Sequence, residues 1–152
     1  MRVKHMWRNL MKIKEIMQRI RERQIPCVNE HCDIREVVEV AVRFPHSRLV
    51  YVVDEQRRLL GAITIGALLR FLYPYHYEDK IHSRDILRRL TVKKAADLMS
   101  HGNVKASPEE SVDTILKRMA KTGVKELAVV DDEGHILADI TVIDLLAHSD
   151  PA

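Results

Sequence analysis

The chain has 152 residues, 46% of them apolar and 31% charged, enough to bury one compact core and too evenly mixed for a disordered or fibrous protein. Its longest apolar run, Leu59 to Leu69, is eleven residues long and ends at Arg70, well short of the roughly 20 residues that a bilayer-spanning helix needs. The net charge is +3, but residues 1–24 hold eight Lys or Arg against two Glu, so the rest of the chain stands at −3 and lacks the contiguous basic face that would hold a polyanion.

In chain order, Val3, Met6, Leu10, Ile13, Met17 and Ile20 recur at spacings of three and four. This heptad seam predicts an amphipathic helix within the basic stretch 1–24. Arg2, Lys12, Arg19 and Arg23 fall on its opposite face. Such a helix can pack on its own module, pair with a dimer mate, lie on an acidic membrane or touch nucleic acid; packing is the simplest of these. The opening MRVKHMWRNLMKIK has no apolar stretch of the kind a secretory signal carries, which points to the cytoplasm. Cys27 and Cys32 flank a turn-like NEH segment and match neither a disulfide framework nor zinc spacing. His31 beside Cys32 would need a partner from elsewhere, so free thiols and no metal are expected.

A repeat then emerges. RLVYVVDEQRRLLGAITIGALLRFL aligns with ELAVVDDEGHILADITVIDLLAHS at an offset of 77, placing Asp54 on Asp131 and Thr64 on Thr141. Upstream the offset is 78, pairing Ile34, Val37 and Val38 with Val112, Ile115 and Leu116, and farther upstream KIKEIM pairs with KAADLM. Within the second copy, NVKA predicts a strand and Val112 to Ala120 a helix, with Ser107, Pro108 and Glu109 leading in. LAVV and ILADIT predict a hairpin about the turn DDEGH, with Gly134 free to take positive φ, and VIDLLAH returns to helical spacing. The order is β-α-β-β-α. Between the copies, Tyr73-Pro74-Tyr75-His76-Tyr77 closes the first, and Ile81, Ile86, Leu87 and Leu90 predict a bridging helix. No basic stripe interleaves with those tyrosines, so they are read as packing against the module rather than stacking on bases.

The paired runs EIM and DLM, YVVDE and LAVVDDEG, and LGAITIGALL and LADITVIDLL resemble tandem CBS (cystathionine β-synthase) domains over nearly all of residues 11–148. The resemblance implies an α/β module of two pseudo-twofold-related repeats, 11–73 and 93–148, joined by a linker, 74–92, and preceded by the basic helix 1–24, which overlaps the first repeat. It also implies homodimerisation through helices, and a cleft in which the Thr and Asp of a T-x-x-D motif hold a nucleotide ribose. Here that motif is Thr141-Val142-Ile143-Asp144.

Two readings fit these four residues. Thr at a helix start and Asp three residues later share one side of the first turn, where a carboxylate can accept both ribose hydroxyls and the hydroxyl and free amides favour a phosphate. The same spacing is a capping box, each side chain satisfying the other's backbone N–H. In the first repeat the junction is Thr64-Ile65-Gly66-Ala67, so Ala67 replaces the carboxylate and a degenerate second site is expected. The resemblance further implies that Pro26, Cys27 and Val28, with Arg48 and Leu49, complete the Asp144 pocket, Pro26 and Val28 facing adenine and Arg48 a phosphate. Asp139, beside Ile140 and two residues before Thr141, stands where the family commonly has an apolar residue; it would bond the exocyclic amine or repel phosphate. Glu126 stands where a basic residue is frequent.

No Gly-rich phosphate loop, nucleophile with its base and acid, or metal cluster is evident. The expectation is a non-enzymatic sensor that needs no cofactor. It binds an adenine nucleotide (AMP, ADP, ATP or an S-adenosylmethionine-like ligand) and signals to an effector protein, with neither membrane nor nucleic acid as partner. The alternatives are a ligand-free dimerisation module and a membrane- or nucleic-acid-associated regulator acting through residues 1–24.

Overall fold

A computed structural model describes residues 11–74, 83–102 and 104–148. Val3, Met6 and Leu10 of the heptad seam, Tyr75, His76 and Tyr77, and Ile81 lie outside the described residues. In chain order the elements are α1 (Ile13–Ile20), β1 (Cys27–Asn29), α2 (Ile34–Arg43), β2 (Leu49–Val53), β3 (Leu59–Thr64), α3 (Ile65–Leu72), α4 (Ser83–Thr91), α5 (Ala95–Leu98), β4 (Lys105–Ala106), α6 (Val112–Thr122), β5 (Glu126–Val130), β6 (Ile136–Thr141) and α7 (Val142–Ala147). The β-α-β-β-α order therefore occurs twice, as read from the sequence.

Each copy builds one three-stranded sheet, β1-β2-β3 and β4-β5-β6. The first strand of each runs parallel to the second, and the second and third form an antiparallel hairpin. The parallel pair needs a crossover, which α2 and α6 supply. Asp33 and Ser111 start those helices by accepting the N–H of Glu36 and Thr114. The hairpin turn of the second copy places Gly134 at φ 89, while the first copy puts Arg57 at the equivalent position with φ 63. One turn geometry is thus kept although only glycine adopts it without steric cost.

The chain forms two compact units whose boundaries differ from those of the sequence repeat. One contains residues up to Ile25 together with those from 103 onward; the other is Pro26–Gly102. Consequently α1 belongs with the later strands. Ile13 and Ile16 are fully buried in a core with Ile115, Met119, Leu127, Val129, Ile140 and Leu145, and Met17 and Ile20 pack against it. The apolar face of this helix is thus covered within its own unit, and Ile16, which the heptad spacing passed over, is one of its two fully buried residues. In the other unit α5 plays the same part, with Ala95 and Leu98 buried among Val37, Val50, Val52 and Ile63.

Backbone hydrogen bonds hold both helices in place. Ile13 and Lys14 donate to the carbonyls of Glu110 and Pro108, both at 3.0 Å, and Ala95 and Ala96 donate to Cys32 and Glu30 at 2.8 and 2.9 Å. First-turn amides with no partner inside their own helix are thereby satisfied. Packing of α5 also explains Gly61. A Cβ built there would lie 2.5 Å from the Ser100 carbonyl oxygen, and the Ala62–Ser100 bridge holds that carbonyl in place. Gly61→Ala should lower unfolding free energy by about 1–3 kcal/mol in chemical denaturation. An unchanged midpoint would show that the segment after α5 yields freely.

Candidate functional site

Strand alternation decides what the β6–α7 junction can present. Leu127, Val129, Ala138 and Ile140 turn into the core of their unit, so Glu126, Ala128, Asp139 and Thr141 lie on the opposite face, with Ala128 paired to Asp139 and Glu126 to Thr141. That face is also buried: Glu126 is 3% exposed and Asp139 5%. Ile140, named beside Asp139 as a site residue, has its side chain in the core and contributes backbone alone to this face.

Thr141 leaves the strand in extended backbone and caps α7. Its hydroxyl accepts the Asp144 N–H at 3.3 Å, and the Asp144 carboxylate accepts the Thr141 N–H at 2.8 Å and the hydroxyl at 3.1 Å. The capping box read from the spacing is therefore present. Sequence reasoning missed what completes it. Arg23 reaches across 121 positions of sequence and donates through Nη1 and Nη2 to the two Asp144 oxygens, each at 2.7 Å. Nη1 also lies 3.3 Å from the Asp139 carbonyl oxygen.

The spacing puts Arg23 on the basic face of the first helix, opposite its apolar seam. The structure corrects this: α1 ends at Ile20, and the chain beyond it turns Arg23 back onto the site. Asp144 itself was a signal in the sequence, since a carboxylate that folding buries requires a partner.

Burial raises the Asp144 pKa, but the Arg23 hydrogen bonds, the Thr141 amide, the Arg23 charge and the Thr141 hydroxyl together hold it below its ordinary value. Arg23 is pushed up, chiefly by its bond to Asp144; partial burial opposes the shift, and the charges of Asp144, Asp139 and Glu126 reinforce it. The charges of all three acidic groups favour the guanidinium.

The first copy provides an internal comparison. Thr64 caps α3 by accepting the Ala67 N–H at 3.0 Å, and Leu49 pairs with Thr64 as Tyr51 pairs with Ala62. Where one unit has Glu126, Asp139 and Asp144, the other has Leu49, Ala62 and Ala67. The turn geometry is kept and every carboxylate is gone.

The remaining predicted residues lie in the Pro26–Gly102 unit. The Pro26 carbonyl accepts the Tyr51 N–H at 2.8 Å, and the Arg48 carbonyl accepts the Ile65 N–H at 3.0 Å. Both residues thereby brace that unit's hairpin. Val28 points into its core, and Leu49 is buried. Cys27 and Cys32 are free thiols, and burial with the nearby Glu36 and Asp33 charges pushes Cys32 up to about 11. Among the described residues no group of three His, Cys, Asp or Glu could hold a metal ion, and no helix is long and apolar enough to cross a membrane.

Comparison with known proteins agrees with this architecture. The family model of the CBS domain matches residues 13–74 and 95–150. Among curated proteins, inosine-5′-monophosphate dehydrogenase of Aquifex aeolicus is 28% identical over 114 residues, 74% of this chain and 20% of the enzyme. An uncharacterized protein of Methanocaldococcus jannaschii is 33% identical over 60 residues, 40% of this chain and 36% of that protein. The chain therefore spans about a fifth and about a third of these relatives, and the dehydrogenase activity does not carry over from so partial a match.

Of solved structures, a CBS domain-containing protein from Thermotoga maritima has a TM-score of 0.71 at 28% identity, covering 90% of this chain and 92% of that one. CBSX2 in complex with AMP has a TM-score of 0.73 at 15% identity, covering 90% and 94%. A further CBS domain pair, in complex with 5′-methylthioadenosine and S-adenosyl-L-methionine, has a TM-score of 0.66 at 20% identity, covering 90% and 94%.

The lowered Asp144 pKa predicts a pH dependence. Its stabilisation is complete above the ordinary carboxylate value of 3.8 and is lost as pH falls through the lower folded value. Melting temperature should fall progressively below about pH 4 in the wild type. Asp144→Asn should start lower, through loss of the Arg23 pair and part of the cap, and should fall less over the same interval. Parallel curves would show that the pair is not coupled to folding.

Proposed function

The chain belongs to the CBS domain family, and from that membership we propose that it is a regulatory module whose Thr141–Asp144 junction binds the ribose of an adenosine-containing ligand and so signals to an effector protein. One observation carries the reading: two junctions of the same backbone design differ in that one alone holds a carboxylate against its capping threonine. A cap needs no carboxylate, as Thr64 demonstrates. Asp144 therefore adds to the cap a carboxylate that helix initiation does not require, and a carboxylate at that place suits the paired hydroxyls of a ribose. Neighbours of the same fold were crystallised with AMP and with 5′-methylthioadenosine and S-adenosyl-L-methionine; the adenosine these ligands share is the part proposed for this chain. A ligand acts on an effector by binding one conformation better than another, so the module needs no chemistry of its own.

A second reading also has an observation behind it. Both Asp144 oxygens are engaged by Thr141 and Arg23, an arrangement that suits a ligand-free structural junction.

Titration calorimetry with adenosine, AMP, ATP and S-adenosylmethionine separates the two. Saturable binding by at least one of them is expected, weakened about tenfold or more by Asp144→Ala and unchanged by Thr64→Ala. Absence of heat from all four compounds favours the structural junction.

A further inference from the structure

Arg23 and a vicinal diol make the same offer to Asp144. Each presents two donors side by side, and the two carboxylate oxygens accept the guanidinium at 2.7 Å apiece. Both cannot be seated at once in the same lone-pair directions. We propose that Arg23 is the specificity-determining residue of this junction: it holds the Asp144 oxygens against solvent and weak ligands, and a molecule with an intact vicinal diol displaces it. The inference rests on the reading of Asp144 as the ribose-binding carboxylate.

Three features make Arg23 the partner that yields. Its side chain is 39% exposed whereas that of Asp144 is 9% exposed, so the guanidinium can turn to water and the carboxylate cannot. When it leaves, the Thr141 N–H and hydroxyl still hold one Asp144 oxygen, and the acceptor stays oriented for the incoming hydroxyls. Arg23 also stands beyond the last turn of α1, which ends at Ile20, so its movement need not disturb Ile13 and Ile16 in the core.

The surroundings explain why this competitor exists. Glu126, Asp139 and Asp144 converge on one face of the unit, and each adds to the field on Arg23. At the Thr64 junction the matching residues are Leu49, Ala62 and Ala67, and no acidic group there calls for a cation. A guanidinium bonded in a bidentate manner is a strong competitor, since charge-assisted pairs are about twice as strong as neutral ones. Any diol that wins the site must therefore replace both bonds.

The test is calorimetric titration of the whole chain, wild type and Arg23→Gln, with adenosine and with 2′-deoxyadenosine. Arg23→Gln is expected to bind adenosine about tenfold or more tightly than the wild type and to gain less for 2′-deoxyadenosine, which lacks one hydroxyl of the diol. Arg23→Lys, which keeps the charge but not the fork, should fall between the two. A purely structural Arg23 would not separate the two nucleosides. Unchanged or weaker adenosine binding in Arg23→Gln, or an equal gain for both nucleosides, overturns the role of Arg23 while leaving the ribose reading in place. If no version binds adenosine, this inference falls, and the ribose reading falls with it only where AMP, ATP and S-adenosylmethionine also give no heat. Should Arg23→Gln fail to fold, the lysine variant makes the same comparison.

Discussion

The structure depends on an exchange of short helices between the two copies of the repeat. Backbone amides at the start of α1 bond carbonyls just before α6, and Ile13 and Ile16 fill the core beneath β5 and β6. The mirror arrangement seats α5 against the first sheet through Cys32 and Glu30. Without these helices each core would lack part of its cover, Ile13 and Ile16 in one and Ala95 and Leu98 in the other. With them, the helix layer begun by α6 and α7 in one unit and by α2 and α3 in the other is complete. The same exchange brings Arg23 to Asp144, since the segment that leaves α1 runs beside β6 only because α1 is docked there.

The site then follows from local rules applied to unusual residues. Alternation along β5 and β6 puts Glu126, Asp139 and Thr141 on one face, and the capping box turns the Asp144 carboxylate back over the strand end. Three acids gathered in a buried place would be costly unless paired. Arg23 meets that requirement with two short bonds to the most constrained of the three. Helix cap, ion pair and candidate ligand site are thus built on a single carboxylate.

Much of this was legible in the sequence because it is local. Hairpins about DDEGH, helices with apolar residues three and four apart, and the capping box of Thr141 and Asp144 all lie within a few residues and formed as read. The extent of α6, which runs on to Thr122 and ends at the left-handed Gly123, differs from the reading by two residues. What escaped is nonlocal. KIKEIM and KAADLM follow one pattern, and no spacing rule states which sheet each one closes. Arg23 falls on the basic face of a helix only if that helix is extended past Ile20, and its partner lies 121 residues away. A residue count along one segment cannot find such a pair; the excess of acidic groups at the second junction over the first was the available hint.

The exchange has a consequence for how the chain comes to be folded. The Pro26–Gly102 unit is continuous, so everything it needs is present once its last residue leaves the ribosome. The other unit is interrupted by it. Ile13 and Ile16 are made before the strands that bury them, so during synthesis the α1 segment must wait until β6 is complete. Contacts so far apart in sequence are slow to form, and an early sticky segment without its sheet is an aggregation hazard for which chaperones exist. The basic residues that neighbour α1 in the sequence keep the waiting segment charged.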